Sequence, residues 1–348
     1  LSELLTCWTR DPGARDVAVH LVAHRPLALP DRLVGAGGAT VSMQAVPGAG
    51  GTAWEQTRLP RAIRGGADVL FGPGYSAPLL SPLPTVVAIH DVSFFAHPEW
   101  FSLREGLRRR LITRLAARRA ARVLTLSEFS KDQIARFTGV PRDRITVTPA
   151  GSGGYVGRAA ERIGHDAAGP LVLYVGSILN RRQVPLLVRA FAPVARRRPQ
   201  ARLIIVGENR TFPFEDPDLA ARQAGIAGQV ECRAFVPDVE LAGLYARATV
   251  FVFLSTYEGF GLTPLEAMSA GVPVVACDTP VAREVYGDAA ILVPPGDEEA
   301  VTLAIERALD DPALRARLDA AARVRLASLP WERTAALVLD ALREAAGR

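Results

Sequence analysis

Short apolar runs recur along the chain, each followed by a helical pattern or a polar loop. In the first half they are VAVHLVAHR, ADVLFG, TVVAIHD and ARVLTLS; in the second, LVLYVGS, RLIIVGE, VECRAFV, TVFVFLS, VPVVACD and AAILVPP. Runs of this length, rich in Val, Ile and Leu and spaced by helices, predict a parallel α/β fold. The six runs of the second half, with their intervening helices, are the content of a Rossmann-like unit. Between the halves GSGGYVGRAAERIGHDAAG is glycine-rich and without sustained periodicity, so it reads as a linker. The expected division is a first domain over 1–155, a linker over 156–169 and a second domain over 170–329. A C-terminal helix follows ASLP, over 330–348, and is expected to pack across the domain junction. The opening, LSELLTCWTR, has the pattern of an amphipathic helix caught in its middle, and further residues are expected upstream of Leu1.

At 348 residues the chain exceeds what one hydrophobic core serves, in keeping with two domains. A hydrophobic content of 49% against 22% charged is ordinary globular composition and argues against disorder. Cys7, Cys232 and Cys277 stand apart without paired spacing, so neither a disulfide framework nor a zinc site is indicated, and a reducing cytoplasm is the expected compartment. No apolar run approaches the roughly 18 residues of a membrane span.

The formal charge of +5 favours anionic partners, although nearly all of it is arginine, a bias that a GC-rich genome also produces. The charge gathers in 101–122, where Arg104, Arg108, Arg109, Arg110, Arg114, Arg118, Arg119 and Arg122 surround Leu103, Leu107, Leu111 and Leu115. Such a helix suits either a surface position packed on its own domain, or peripheral contact with an anionic membrane. Nucleic acid is not an expected partner, because no nucleic-acid motif accompanies the charge and only 7% of residues are aromatic.

The stretch with most chemistry is YEGFGLTPLEAMSAGVPVV, residues 257–275. Thr263 sits where an N-cap belongs, Pro264 takes the first helical position, and Glu266 completes a capping box. On that basis alone Glu266 contributes about 1 kcal/mol of helix stability, and Glu258 is a solvated loop carboxylate. Capping does not explain Gly259 and Gly261 flanking Phe260. Two glycines ahead of a helix let the backbone approach a ligand, and the free N–H groups of the first turn attract an anion such as a phosphate.

The chain resembles the large retaining glycosyltransferase family four, also called group one. The resemblance covers most of the chain and rests chiefly on EGFGLTPLE, AMSAGVPVVA and REVYGDAAILVPPGD, supported by WEQTRLP, TVVAIHDVSFFAHPEWF and VLTLSEFSKDQI in the first half. It implies the GT-B architecture, two Rossmann-like domains facing a central cleft, with the C-terminal helix crossing back to the first domain. It also implies roles for particular residues. Glu266 would accept hydrogen bonds from the donor's ribose hydroxyls, and Glu258 would touch the transferred sugar. The backbone of Gly259, Phe260, Gly261 and Leu262, with the helix at Thr263, would hold sugar hydroxyls and the diphosphate. The family's basic pair falls on Arg181 and Arg182 in VGSILNRRQ, after Ser177, with Arg182 in the place of the usual lysine. Gly207 and Val236 match positions near the nucleotide base. In the first domain His90 would contact the transferred sugar across the cleft, with Asp91 and Tyr75 on the acceptor side. For His90 alone, a histidine satisfied by neighbouring backbone is the simpler reading; for Tyr75, a packed turn aromatic.

The implied activity is retaining, metal-independent transfer of a hexose, mannose or glucose, from a GDP- or UDP-linked donor to a glycan, lipid-linked or small-molecule hydroxyl. No cofactor and no metal are expected: Asp216-Pro217-Asp218 reads as a helix cap rather than a metal motif. The expected location is cytoplasmic, or peripheral on the inner face of the cell membrane. Two alternatives remain open. One is a catalytically silent sugar-nucleotide-binding subunit, since the first strand and glycine-rich loop of similar enzymes are not seen at the start. The other is an epimerase or hydrolase of nucleotide sugars on the same architecture.

Overall fold

The computed structural model describes residues 1–27, 33, 37–152 and 169–347. All of the expected linker but Gly169 therefore lies outside the described residues. The chain divides into two compact units: Leu1–Phe95, Arg104–Gly151 and Trp331–Arg348 form one, and Ala96–Leu103 with Ser152–Pro330 form the other. The grouping of Ala96–Leu103 with the second unit has no counterpart in the sequence pattern. There His97 stacks on Trp100, with ring centroids 4.0 Å apart, and meets Tyr257 edge-on at 5.3 Å.

The first unit holds two parallel sheets. One pairs β1 (Ala18–Ala23) with β2 (Thr40–Ala45). The other runs β3 (Leu70–Gly72), β4 (Thr85–Ala88), β5 (Arg122–Thr125), β6 (Ile145–Val147) in spatial order. Side chains alternate across a strand, and β4 shows the result. Val86 and Ala88 face one core with Leu4, Leu5 and Trp8, while Val87 and the following Ile89 face another with Ala117, Ala120 and Ile134. The C-terminal helix Trp331–Ala345 belongs to the first of these cores through Ala335, Val338 and Leu339. Two hydrogen bonds pin it: Trp8 Nε1 donates to the Ala335 carbonyl at 2.9 Å, and Thr334 Oγ1 to the Pro149 carbonyl at 2.6 Å. The chain's last helix thus returns to the unit in which the chain began.

The second unit is one six-stranded parallel sheet: β7 (Leu171–Val175), β8 (Arg202–Val206), β9 (Val230–Arg233), β10 (Val250–Phe253), β11 (Val274–Cys277) and β12 (Ala290–Val293). Their spatial order is β12-β11-β10-β7-β8-β9. The chain builds outward from β7 to β9, then crosses back to start β10 on the other side of β7. That reversal makes the β7/β10 boundary a topological switch point, and open sheets of this kind take ligands beyond the carboxyl ends of the strands there. Helices cover the sheet through apolar stripes at helical spacing. In Val184–Arg197 the buried residues include Val184, Leu187, Val188, Phe191 and Val194.

The basic helix Leu103–Arg119 is a packed surface helix, but its leucine stripe is not the packed face. Its buried face is small, made of Gly106, Thr113, Ala116 and Ala117. Leu103, Leu107 and Leu111 instead face outward, 81%, 60% and 57% exposed. Among the described residues no helix is long and apolar enough to cross a membrane.

Candidate functional site

At the switch point the loop after β7 meets the loop after β10. Leaving β7, the chain passes Gly176 and Ser177 and makes a tight turn over Asn180–Arg182, after which Gln183, left-handed at φ 48°, opens the helix Val184–Arg197. Arg182 folds back from that turn. Its Nε donates to Glu258 Oε1 at 2.8 Å, its Nη1 donates to the Ser177 carbonyl at 3.0 Å, and its guanidinium lies over the Phe253 ring, 5.1 Å from the centroid. Tyr174 donates to the same Ser177 carbonyl at 3.0 Å and stacks on Phe253. Burial raises the Tyr174 pKa to about 12, against the lowering pull of Arg182, so its proton stays in place.

Glu258 completes the group and is not the solvated carboxylate of the capping view. It is 9% exposed, and its Oε1 takes Arg182 Nε, Ser255 Oγ at 3.0 Å and, at 3.6 Å, Arg181 Nε. The Arg181 carbonyl accepts from the Thr256 backbone N–H at 2.8 Å, which ties the two loops together. Two guanidinium groups therefore share one carboxylate, leaving a formal excess of one positive charge in a largely buried place. The buried Arg181 Nε has no hydrogen bond. A buried N–H that reaches its carboxylate only at ion-pair distance is left without a hydrogen bond, which is costly, and an entering anion would supply one. Glu258 Oε2 likewise carries no hydrogen bond among the described residues.

The helix expected to be capped by Thr263 and to start at Pro264 begins two residues earlier, over Leu262–Ser269, with Gly261 as its N-cap and no side-chain cap. The capping box is therefore absent. Gly261 sits at φ 90°, where glycine alone is at ease, and a Cβ there would lie 1.9 Å from the Tyr286 hydroxyl. Tyr286 donates to the Gly261 carbonyl at 3.1 Å and fixes the turn. The absence of a side chain at Gly261 thus makes room for a tyrosine of the protein itself. Thr263 moves inside the helix, where its Oγ1 is buried without a partner. Glu266 turns away from the cap position and accepts from Tyr245 Oη at 3.0 Å. Burial raises the Glu266 pKa, and the Tyr245 bond opposes that shift.

Gly207 marks a close approach of two backbones. At φ 152°, a Cβ on it would lie 2.0 Å from the Gly176 carbonyl, so the chain after β8 runs against the chain after β7 only because Gly207 has no side chain. Val236 is buried just ahead of the helix Asp238–Arg247, and the neighbouring Phe235 is exposed. Asp216 accepts from the Asp218 N–H at 2.9 Å as a helix cap, with Pro217 in the first helical position.

In the first unit, Tyr75, His90 and Asp91 come together as one group. Tyr75, left-handed at φ 63°, donates to Asp91 Oδ2 at 2.9 Å, and its ring meets His90 edge-on at 5.5 Å. The Asp91 Oδ1 accepts from the Ser93 N–H at 2.8 Å. His90 Nε2 lies 3.0 Å from the Pro73 carbonyl, which only accepts, so Nε2 holds the proton and the buried, unpartnered Nδ1 presents a lone pair. Burial lowers the His90 pKa, against Pro73 and Asp91, which keeps the ring neutral near pH 7. The backbone-satisfied reading of His90 thus holds for one ring nitrogen and not for the other.

Sequence reasoning missed Tyr174, Tyr245, Phe253, Ser255 and Tyr286. Ser255 alone had a local signal, three residues before Glu258. The tyrosines and Phe253 read as core, and only the fold brings their polar or π faces to the site.

A family model described as Glycosyl transferases group 1 matches residues 158–325, and one described as Glycosyltransferase Family 4 matches residues 10–151. The chain is 30% identical over 294 residues to O-antigen chain mannosyltransferase B of Escherichia coli, covering 80% of this chain and 75% of that one. Its fold is that of sucrose-phosphate synthase from Thermosynechococcus elongatus, with a TM-score of 0.74 at 19% identity over 94% of this chain and 98% of the other. Anabaena HepE, solved with UDP and glucose, matches with a TM-score of 0.68 at 20% identity over 98% and 95%.

Proposed function

The chain belongs to the glycosyl transferases of group 1, family 4, and we propose that it is a retaining, metal-independent hexosyltransferase. The donor is a GDP- or UDP-linked mannose or glucose, and the acceptor a hydroxyl of a glycan, glycolipid or small molecule. One observation carries this reading: the buried Arg181–Arg182–Glu258 group at the switch point, with its excess positive charge and an Arg181 N–H that makes no hydrogen bond. Positive charge aimed where a diphosphate departs lowers the barrier without a metal ion. Glu258 Oε2 and Glu266 Oε1 are each the uncommitted oxygen of a carboxylate held by its other oxygen, and we assign them to sugar and ribose hydroxyls. His90 Nδ1, a buried lone pair without a hydrogen bond, is the first unit's candidate acceptor for a substrate hydroxyl. The remaining catalysis is positioning: the acceptor attacks on the face the diphosphate leaves, and a diphosphate oxygen takes its proton. The name of the Escherichia coli relative favours mannose, and the UDP and glucose bound to HepE favour the alternative pair.

Labelled GDP-mannose and UDP-glucose, each incubated with and without acceptor sugars, test this reading. The expected outcome is transfer that needs acceptor, survives excess EDTA and keeps the donor's anomeric configuration by NMR. Binding without turnover would point to a silent subunit, and free or isomerised sugar to a hydrolase or epimerase. An inverted anomer or loss of activity in EDTA would remove the corresponding part of the proposal.

The outward face of Leu103–Arg119 supports an anionic bilayer as the surface on which a lipid-linked acceptor is met. Its exposed leucines are interleaved with exposed Arg104, Arg108, Arg114 and Arg118, and the helix's single carboxylate, Glu105, is paired with Arg109. Apolar side chains enter the headgroup boundary while arginines meet lipid phosphates, each basic residue contributing about 1 kcal/mol. The protein is expected to float with phosphatidylglycerol vesicles and not with phosphatidylcholine vesicles. Leu107→Gln with Leu111→Gln should weaken that binding about tenfold or more. Equal binding by the double variant, or none by the wild type, contradicts this surface.

A further inference from the structure

Tyr245 is fully buried in the helix Asp238–Arg247, its ring 5.9 Å from that of Phe251. Its hydroxyl makes one hydrogen bond among the described residues, donated to Glu266 Oε2. A phenol placed in the core at that expense of desolvation needs a reason beyond filling space, because phenylalanine would fill it without a polar atom to satisfy. The reason lies at the other end of the bond. Glu266 is the fifth residue of a helix that starts at Leu262 and has no side-chain cap, so capping makes no claim on its carboxylate. Tyr245 takes up one of its oxygens and leaves Oε1 without a protein hydrogen bond among the described residues.

We infer that Tyr245 is the positioning residue for donor recognition: it locks the Glu266 carboxylate so that Oε1 accepts from the ribose hydroxyls of a nucleoside diphosphate sugar. This rests on the ribose role proposed above for Glu266. A vicinal diol is a pair of donors at fixed separation, and a carboxylate accepts from it well only if its plane is already set. Burial of both groups supports the same arrangement, since it raises the pKa of each and the hydroxyl bond keeps the Glu266 carboxylate ionised more readily than burial alone would. The effect belongs to the ground-state complex and to the transition state alike, because the ribose is remote from the bond that breaks. Loss of Tyr245 Oη should therefore raise KM for the donor and leave kcat nearly unchanged.

The test is a double-mutant cycle read by titration calorimetry with UDP and with GDP, and by steady-state kinetics with the sugar donor that turns over. Tyr245→Phe is expected to weaken nucleotide binding and raise donor KM about tenfold, with kcat changed less than twofold. Glu266→Ala should weaken binding by at least as much, and Tyr245→Phe should add nothing in the Glu266→Ala background. If Tyr245→Phe does not fold, Glu266→Asp carries the same test, since it keeps the charge but withdraws the carboxylate from the Tyr245 hydroxyl. It should then lose affinity as Glu266→Ala does. Should Glu266→Ala bind tenfold worse while Tyr245→Phe binds normally, or the two losses multiply, the positioning role is wrong and the ribose role stands. Unchanged affinity in Glu266→Ala removes the ribose role and this inference with it.

Discussion

Replacing Arg182 by alanine is expected to lower kcat by about 100- to 1,000-fold, the typical effect of deleting one donor from charge that develops in a transition state. The loss has two sources that separate experimentally. One is catalytic: the guanidinium is fixed by Glu258, the Ser177 carbonyl and the Phe253 face, so its remaining N–H groups are aimed before any ligand arrives. The other is structural, because Glu258 keeps only Arg181 at 3.6 Å and Ser255 once Arg182 is gone. Breaking a buried ion pair from one side costs roughly 3 to 5 kcal/mol, so activity must be expressed per folded molecule. Arg182→Lys restores the charge but not the planar fork that reaches Glu258 and Ser177 together. Its expected loss is on the order of tenfold, with most of the stability regained. If Arg182→Ala turns over as fast as the wild type once corrected for folding, the leaving group is not stabilised here.

Gly207→Ala should be the most destabilising single methyl group in the second unit. The new Cβ meets the Gly176 carbonyl at 2.0 Å, which is backbone and cannot swing aside, and the φ of 152° is itself unsuited to alanine. Strain and overpacking together amount to about 3 to 5 kcal/mol, a fall in Tm of roughly 10 °C for a unit of this size. Thermal unfolding followed by circular dichroism checks it. Gly228→Ala serves as the control, because nothing lies within 4 Å of its added Cβ and its φ is ordinary. A Gly207→Ala protein as stable as the control would mean that the two backbones do not approach as closely as described. Donor binding should suffer as well, since the displaced Gly176 leads directly to the Ser177 carbonyl that holds Arg182.

The strands of the second unit were legible because a parallel strand buried on both faces writes itself as a continuous apolar run. β2 and β6 were not. β2 has alternating polar residues on an exposed face, and β6 is only three residues long. The leucine stripe of Leu103–Arg119 was visible as periodicity, but periodicity does not say which face is covered, and here the small residues are inside. At the site, the residue types were readable and their connections were not. Glu258 and Arg182 are 76 positions apart, and no local spacing discloses that one holds the other. Capping rules placed the helix start at Thr263 on local chemistry, whereas Tyr286 pins the turn at Gly261 from a distant helix end. Local signals identified which elements exist. Tertiary partners decided which oxygen and which nitrogen of each side chain remain free for a ligand.

The most direct measurement is calorimetric titration of UDP and GDP into the wild type and Arg182→Ala, with UMP and GMP as controls. If the second unit holds a nucleoside diphosphate through its paired guanidinium groups, the wild type binds one diphosphate well above the matching monophosphate. Arg182→Ala then loses at least tenfold in affinity for the diphosphate alone. Diphosphate and monophosphate binding equally to both proteins, or neither nucleotide binding at all, would contradict it.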